Sequence, residues 1–163
     1  MRVALLVLSD KAASGARADA CLPAMRDGLP QGVTIVREAI IADDRAAIAA
    51  TLREWCDQAI ADLILTSGGT GLGPRDVTPQ ATSDIGDYAV PGIPERIRAA
   101  AVAQVPTAIL SRATAVVRKR TLIINLPGSP RAVRETLALI AGVLAHATEL
   151  VRGDSGEHDT GPA

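Results

Sequence analysis

An α/β domain, with a mostly parallel sheet covered by helices on both faces, is the fold class this chain predicts. Three short runs, Val3 to Leu8, Val33 to Ile41 and Leu63 to Leu65, are apolar and rich in β-branched residues, and helical patterns lie between them. A strand that is apolar throughout has both of its faces covered, which is the condition of parallel strands in βαβ units. The 163 residues, 48% of them hydrophobic, fit one domain with a sizeable core.

Taken in order, Val3 to Leu8 is the first strand and Val33 to Ile41 the second. The helix that follows is the clearest: Ile48, Leu52, Trp55 and Ala59 recur at four, three and four positions as a single apolar stripe. Either Asp43 or Asp44 serves as its N-cap. After the Leu63 strand and a glycine-rich stretch, Thr78 and Pro79 read as the N-cap and first-turn proline of a short helix. Another helix is expected to start by Pro94 and run to Pro106. Thr114 to Leu126 holds two apolar runs around the basic group Arg118-Lys119-Arg120, a hairpin that would make the sheet mixed. Ser129 and Pro130 repeat the cap-and-proline signal, and Val133, Leu137, Ile140 and Leu144 predict a long last helix ending around Arg152. Residues 1–152 form the domain, and the polar residues 153–163 are expected to be a mobile tail.

A formal net charge of −1, a pI near 6.1 and an aromatic content of 1% give neither attraction to nucleic acid nor stacking platforms for bases. The apolar stretch near the N-terminus is too short for a signal peptide's apolar region or a membrane span, so a cytoplasmic protein without a membrane partner is expected. Cys21 and Cys56 have no CxxC spacing and make neither a disulfide framework nor a zinc site; both are expected to be reduced and partly buried. His146, in a helical pattern, and His158, in the tail, receive no metal role.

The stretch from Leu63 to Thr82, LILTSGGTGLGPRDVTPQAT, carries the chemistry. Gly68, Gly69, Gly71 and Gly73 end an apolar strand with bare backbone, which lets N–H groups approach an anion closely. The run lacks the Gly-Lys-Ser/Thr of a P-loop and fits a dinucleotide fingerprint only loosely. What remains is a strand end in an open sheet that leads to a helix start, a place that favours phosphate or pyrophosphate. Asp76 lies inside this electropositive loop: it either caps the next helix or pairs with Arg75, or it is a Mg²⁺ ligand. Asp43, and Asp10 after the first strand, would emerge at the same carboxyl edge. Asn125 to Pro130 is another strand end turning into a helix start, a second anion site or simply a rigid connection.

TSGGTGLGPRDVTPQAT resembles the signature of the molybdopterin adenylyltransferase family, the Mog- and MoaB-type proteins of molybdenum cofactor biosynthesis. LSDKAASG, IADD and VPTAILSRATAVVRKRTLIINLPGSPRAV follow the family's order, so the resemblance covers residues 3 to 152 and is closest to the Mog type. It implies a three-layer α/β/α molybdopterin-binding domain that assembles as a homotrimer. It further implies transfer of AMP from ATP to the terminal phosphate of molybdopterin with Mg²⁺, release of pyrophosphate, and a downstream molybdenum-insertion protein. By the same resemblance Asp43 and Asp76 match the two aspartates needed for turnover and organise Mg²⁺ and nucleotide. Gly68, Gly69, Thr70 and Gly71 fall on the nucleotide loop, Ser9 and Asp10 line the site, and Ser111, Arg112, Pro127, Gly128 and Ser129 resemble the pterin-phosphate side.

One departure is Gln80, where the family commonly has an acid after the proline. Two rival functions remain: a non-catalytic molybdopterin carrier or trimerising scaffold, and a nucleotide pyrophosphatase of similar fold.

Overall fold

A computed structural model describes residues 1–153; the expected tail from residue 154 onward lies outside them. The first apolar run is β1 (Arg2–Leu8), parallel to β2 (Thr34–Ile41) on one side and to β3 (Leu63–Ser67) on the other. On its far side β3 pairs in parallel with β6 (Thr121–Leu126). Two antiparallel neighbours complete the sheet, β5 (Ala115–Arg118) and the two-residue β4 (Tyr88–Ala89), in the order β2-β1-β3-β6-β5-β4. The basic group between the last apolar runs is thus a hairpin turn, with Lys119 at φ 52°, and the sheet is mixed.

Helices cover both faces because successive strand residues point to opposite sides. Val3, Leu5 and Val7 of β1 pack with α2 (Cys21–Gly28), α5 (Gly92–Val102) and α6 (Pro130–Arg152). Ala4, Leu6 and Leu8 pack with α3 (Arg45–Asp57) and α4 (Thr78–Ser83). A single helical turn, α1 (Asp10–Ala13), follows β1, and a 3-10 turn spans Pro106–Leu110. The long α6 lays Val133, Leu137, Ile140 and Leu144 on the sheet and ends at Gly153, whose φ of 73° closes the helix in the left-handed region.

Several expectations are corrected. α3 stops at Asp57, so Ala59 leaves the apolar stripe, takes φ 49° in the turn and is exposed; Cys56 is buried with Ile48, Leu52 and Trp55 instead. Strand β2 is not covered on both faces: it is the sheet border, and Ile35 and Val36 are exposed. Its charged residues are tied to helices, Arg37 lying 5.9 Å from the Trp55 ring of α3 and Glu38 accepting from Arg26 Nε of α2 at 2.7 Å. Helix α5 begins before Pro94 and ends at Val102, leaving Pro106 to start the 3-10 turn.

Both cysteines are free and buried, and burial pushes the Cys56 thiol up to about 11. Asp62, at the amino end of β3, is buried with Arg2 Nη2 at 2.8 Å and Arg152 Nη1 at 3.1 Å. No described helix is long and apolar enough to cross a membrane.

Candidate active site

The sheet order sends the chain from β1 to β2 on one side and back across to β3 on the other, with α2 and α3 on opposite faces. In an open α/β sheet the crevice for a ligand lies at that reversal, outside the carboxyl ends of the strands, here β1 and β3. The residues that leave those ends, Ser9 and Asp10 after β1 and Gly68 onward after β3, are those singled out from the sequence.

The glycines are required by contacts. Gly68 has φ 107° and a Cβ there would lie 2.3 Å from the Leu8 carbonyl oxygen. Gly69 has φ 62°, and its Cβ would lie 2.4 Å from Thr78 Oγ1 and 3.0 Å from Asp43 Oδ1. Only bare backbone fits between β1, Asp43 and α4. Beyond it, the N–H groups of Gly69, Thr70, Gly71 and Leu72 meet no acceptor among the described residues. Consecutive unpaired N–H donors in a glycine turn are the kind of group that can serve an oxyanion.

Thr78 differs from its expected part. The residue before α4 is Val77, which gives no side-chain cap; Thr78 Oγ1 donates to the Gly68 carbonyl oxygen at 2.9 Å and Thr78 N to that of Gly69 at 3.1 Å. The start of α4 is therefore spent on the glycine turn, and the open amides lie one segment upstream.

Asp44, not Asp43, caps α3, accepting from Ala47 N at 2.8 Å. That leaves Asp43 to meet the loop after β1: Asp10 N donates to Asp43 Oδ2 and Asp43 N to Asp10 Oδ1, each at 3.0 Å. Burial, with Asp10 and Asp76 nearby, outweighs the Asp10 amide and Arg75 and holds the Asp43 carboxyl above the usual range. Asp76 neither caps α4 nor pairs with Arg75; it turns back into the loop, where Oδ2 accepts from Gly73 N at 2.8 Å. Arg75 instead reaches Asp10, and its hydrogen bond holds the Asp10 carboxyl below the usual range.

Among the described residues no group of three or more His, Cys, Asp or Glu forms a ready-made metal cage. The donor set suits magnesium, which takes one or two protein carboxylates and fills its shell with water and phosphate oxygens. Asp43 and Asp76 each spend one oxygen inside the protein and keep Oδ1 without a donor.

The second strand end lies against the first. Ser67 Oγ donates to the Pro127 carbonyl oxygen at 2.8 Å, and a Cβ on Gly128 would lie 3.3 Å from Gly68 Cα. Ser129 caps α6 through Ala132 N at 3.3 Å. Arg112 does not point a free fork at a ligand: its N and Nε donate to the carbonyl oxygens of Thr70, at 2.9 Å, and Gly71, at 2.7 Å, and Nη2 to that of Asp76. Thr70, Gly71, Ser111, Pro127 and Ser129 line one cavity of about 490 Å³, which continues between α5 and α6 over Ile97 and Leu139. Ser9, Asp10, Asp43 and Asp76 are not in its lining, so the site has an acidic part and a cavity part that meet at the glycine loop.

Three residues position the site in ways the sequence does not tell: Asn125 and Thr78, expected in a strand-end turn and as a cap, and Arg98, which was not singled out. Buried Asn125 donates to Thr66 Oγ1 and Thr82 Oγ1, each at 2.9 Å, and accepts from Thr114 N at 3.2 Å, tying β3, β6 and α4 together. Arg98 holds the segment between Ser111 and β5 through the Ala113 carbonyl oxygen at 2.9 Å. Thr78 is the third, its hydroxyl being interpreted as a cap. For Asn125, the signal was a polar residue inside an otherwise apolar run; for Arg98 there was none. Gln80 borders a second, open groove with Arg45, Arg98 and Arg112, and its Oε1 is buried without a partner.

A sheet with helices on both faces and a glycine turn at its reversal defines an open α/β domain with a crevice at its strand ends. The model of the probable molybdopterin binding domain matches residues 4–146, and the chain belongs to that family. It is 44% identical over 140 residues to the molybdopterin adenylyltransferase of Escherichia coli K12, covering 84% of this chain and 72% of the relative. The crystal structure of the molybdopterin biosynthesis enzyme MoaB from Thermus thermophilus superposes with a TM-score of 0.88 at 46% identity, over 93% of this chain and 96% of that one. The Mog protein from Mycobacterium ulcerans gives 0.86 at 38%, over 92% and 98%.

Proposed function

We propose that the chain is a molybdopterin adenylyltransferase, moving AMP from ATP to the terminal phosphate of molybdopterin. The observation that carries this reading is the row of open amides from Gly69 to Leu72 beside two carboxylates that each keep an oxygen free. A phosphate oxygen of the pterin attacks the α-phosphorus, the bond to pyrophosphate breaks, and charge builds on the oxygens in between. Fixed N–H donors suit such a transition state because they require no reorganisation. Mg²⁺, held by Asp43 and Asp76, would neutralise the phosphate charge. Asp10 fixes Asp43 through the paired main-chain bonds, and Gly73 fixes Asp76.

We assign the pterin to the cavity: its 490 Å³ are mainly apolar, Ser111 and Ser129 line it beside Thr70 and Gly71, and Gly128 packs against Gly68 next to it. Relatives that carry the adenylyltransferase name over most of this chain support the reading. It carries with it a cytoplasmic setting and a downstream molybdenum-insertion protein as acceptor of the adenylylated pterin. A homotrimer is also part of it: Val102, Val105, Ile109 and Leu110, all exposed in the single chain, offer an apolar strip along the end of α5 and the 3-10 turn. Sedimentation equilibrium tests that assembly.

Pyrophosphate release from ATP and Mg²⁺, with and without molybdopterin, tests the function. Release that depends on the pterin is expected. Pterin binding without release would make the protein a carrier, and release from ATP alone a pyrophosphatase.

A further inference from the structure

Arg75 is the only cation between Gly68 and Asp76, and its side chain is 63% exposed. Its hydrogen bonds all go to one carboxylate in another loop, from Nε to Asp10 Oδ2 at 3.0 Å and from Nη2 to both Asp10 oxygens at 2.8 and 2.9 Å. Asp10 in turn accepts from Asp43 N, so guanidinium, Asp10 and Asp43 form one chain across the mouth of the acidic part. Asp10, Asp43 and Asp76 against Arg75 alone leave two of three negative charges uncompensated among these groups. Exposed ion pairs are weakly held in water. A polyphosphate presents the same bidentate geometry to an arginine with more charge. Open amides upstream, and a cation just past them, together outline a polyanion longer than one phosphate.

We infer that Arg75 grips the polyphosphate of the incoming nucleotide, giving up Asp10 as it does so, and that the released Asp10 carboxylate joins Asp43 toward the divalent ion. Arg75 is then a substrate-binding residue of the leaving group, and Asp10 its resting partner. The inference rests on the adenylyltransferase reading.

Calorimetric titration of the full chain with α,β-methylene-ATP and with AMP, each with and without MgCl₂, tests it. Arg75→Ala should weaken binding of the Mg²⁺ complex of the analogue about tenfold or more while AMP affinity stays within about twofold, and Arg75→Lys should restore part of the loss. Asp10→Asn keeps an oxygen for the Asp43 amide but removes the charge and the Oδ2 acceptor that hold Arg75, loosening it. It should tighten metal-free binding of the analogue and shrink the gain from Mg²⁺. Equal losses for AMP and analogue in Arg75→Ala, or unchanged or weaker metal-free binding in Asp10→Asn, would overturn the exchange. Absence of analogue binding to the parent protein would instead overturn the adenylyltransferase reading.

Discussion

The hydroxyl of Thr78 reaches back ten residues to the carbonyl oxygen of Gly68, at 2.9 Å, so the first turn of α4 holds the strand end from which the site is built. Both groups are buried. Thr78→Val keeps the shape and removes the donor, leaving that carbonyl unpaired, which costs about 1–3 kcal/mol. Urea unfolding of the variant should show that loss in the midpoint without a change of slope.

Gly69→Ala should be more damaging to turnover than its single methyl suggests. The new Cβ meets Thr78 Oγ1 and Asp43 Oδ1 at once, in a backbone conformation an L-residue avoids. We expect a stability loss of about 1–3 kcal/mol. Pterin-dependent pyrophosphate release should fall together with nucleotide affinity.

Asp76→Ala removes a carboxylate from beside the open amides and leaves the cavity lining untouched. Turnover should drop by about two to three orders of magnitude, as when a charge-stabilising group is lost. Molybdopterin affinity, measured by fluorescence quenching, should hold. Unaltered turnover would remove Asp76 from the mechanism.

Asp57, paired with Arg118 and Lys119, has its carboxyl lowered to about 2, first through the Arg118 hydrogen bond. Because the folded value lies below the unfolded one, near 4, the pair's contribution is complete above that pH and fades as pH falls toward 2. Asp57→Asn should therefore melt below the parent protein near neutrality, and the gap should close in acid. A gap that persists at pH 2 would argue against the pair.

The apolar skeleton was legible because it is periodic. Ile48, Leu52 and Trp55 mark α3, Val133 to Leu144 mark α6, and continuous apolar runs mark β1 and β3; all follow from local spacing. That the glycine loop, Asp43 and Asp76 gather at one edge was legible because each follows the carboxyl end of a strand. Partner choice was not. Asp43 and Asp44 are adjacent and chemically identical, and only the turn of the chain makes one a cap and gives the other to Asp10. Arg75 sits next to Asp76 in sequence and bonds a residue 65 positions away. The exposure of β2 likewise depends on strand order, which local pattern does not contain.

That border strand has a consequence for how copies of the molecule meet. A strand lacking a neighbour can template the addition of foreign chain, and fibrous aggregation starts from such rims. Here Arg37 and Glu38 lean onto opposite helices, placing one positive and one negative group midway along the rim. An arriving strand would have to bury or displace both charges, so crowded copies of this protein are kept from zipping together along that side.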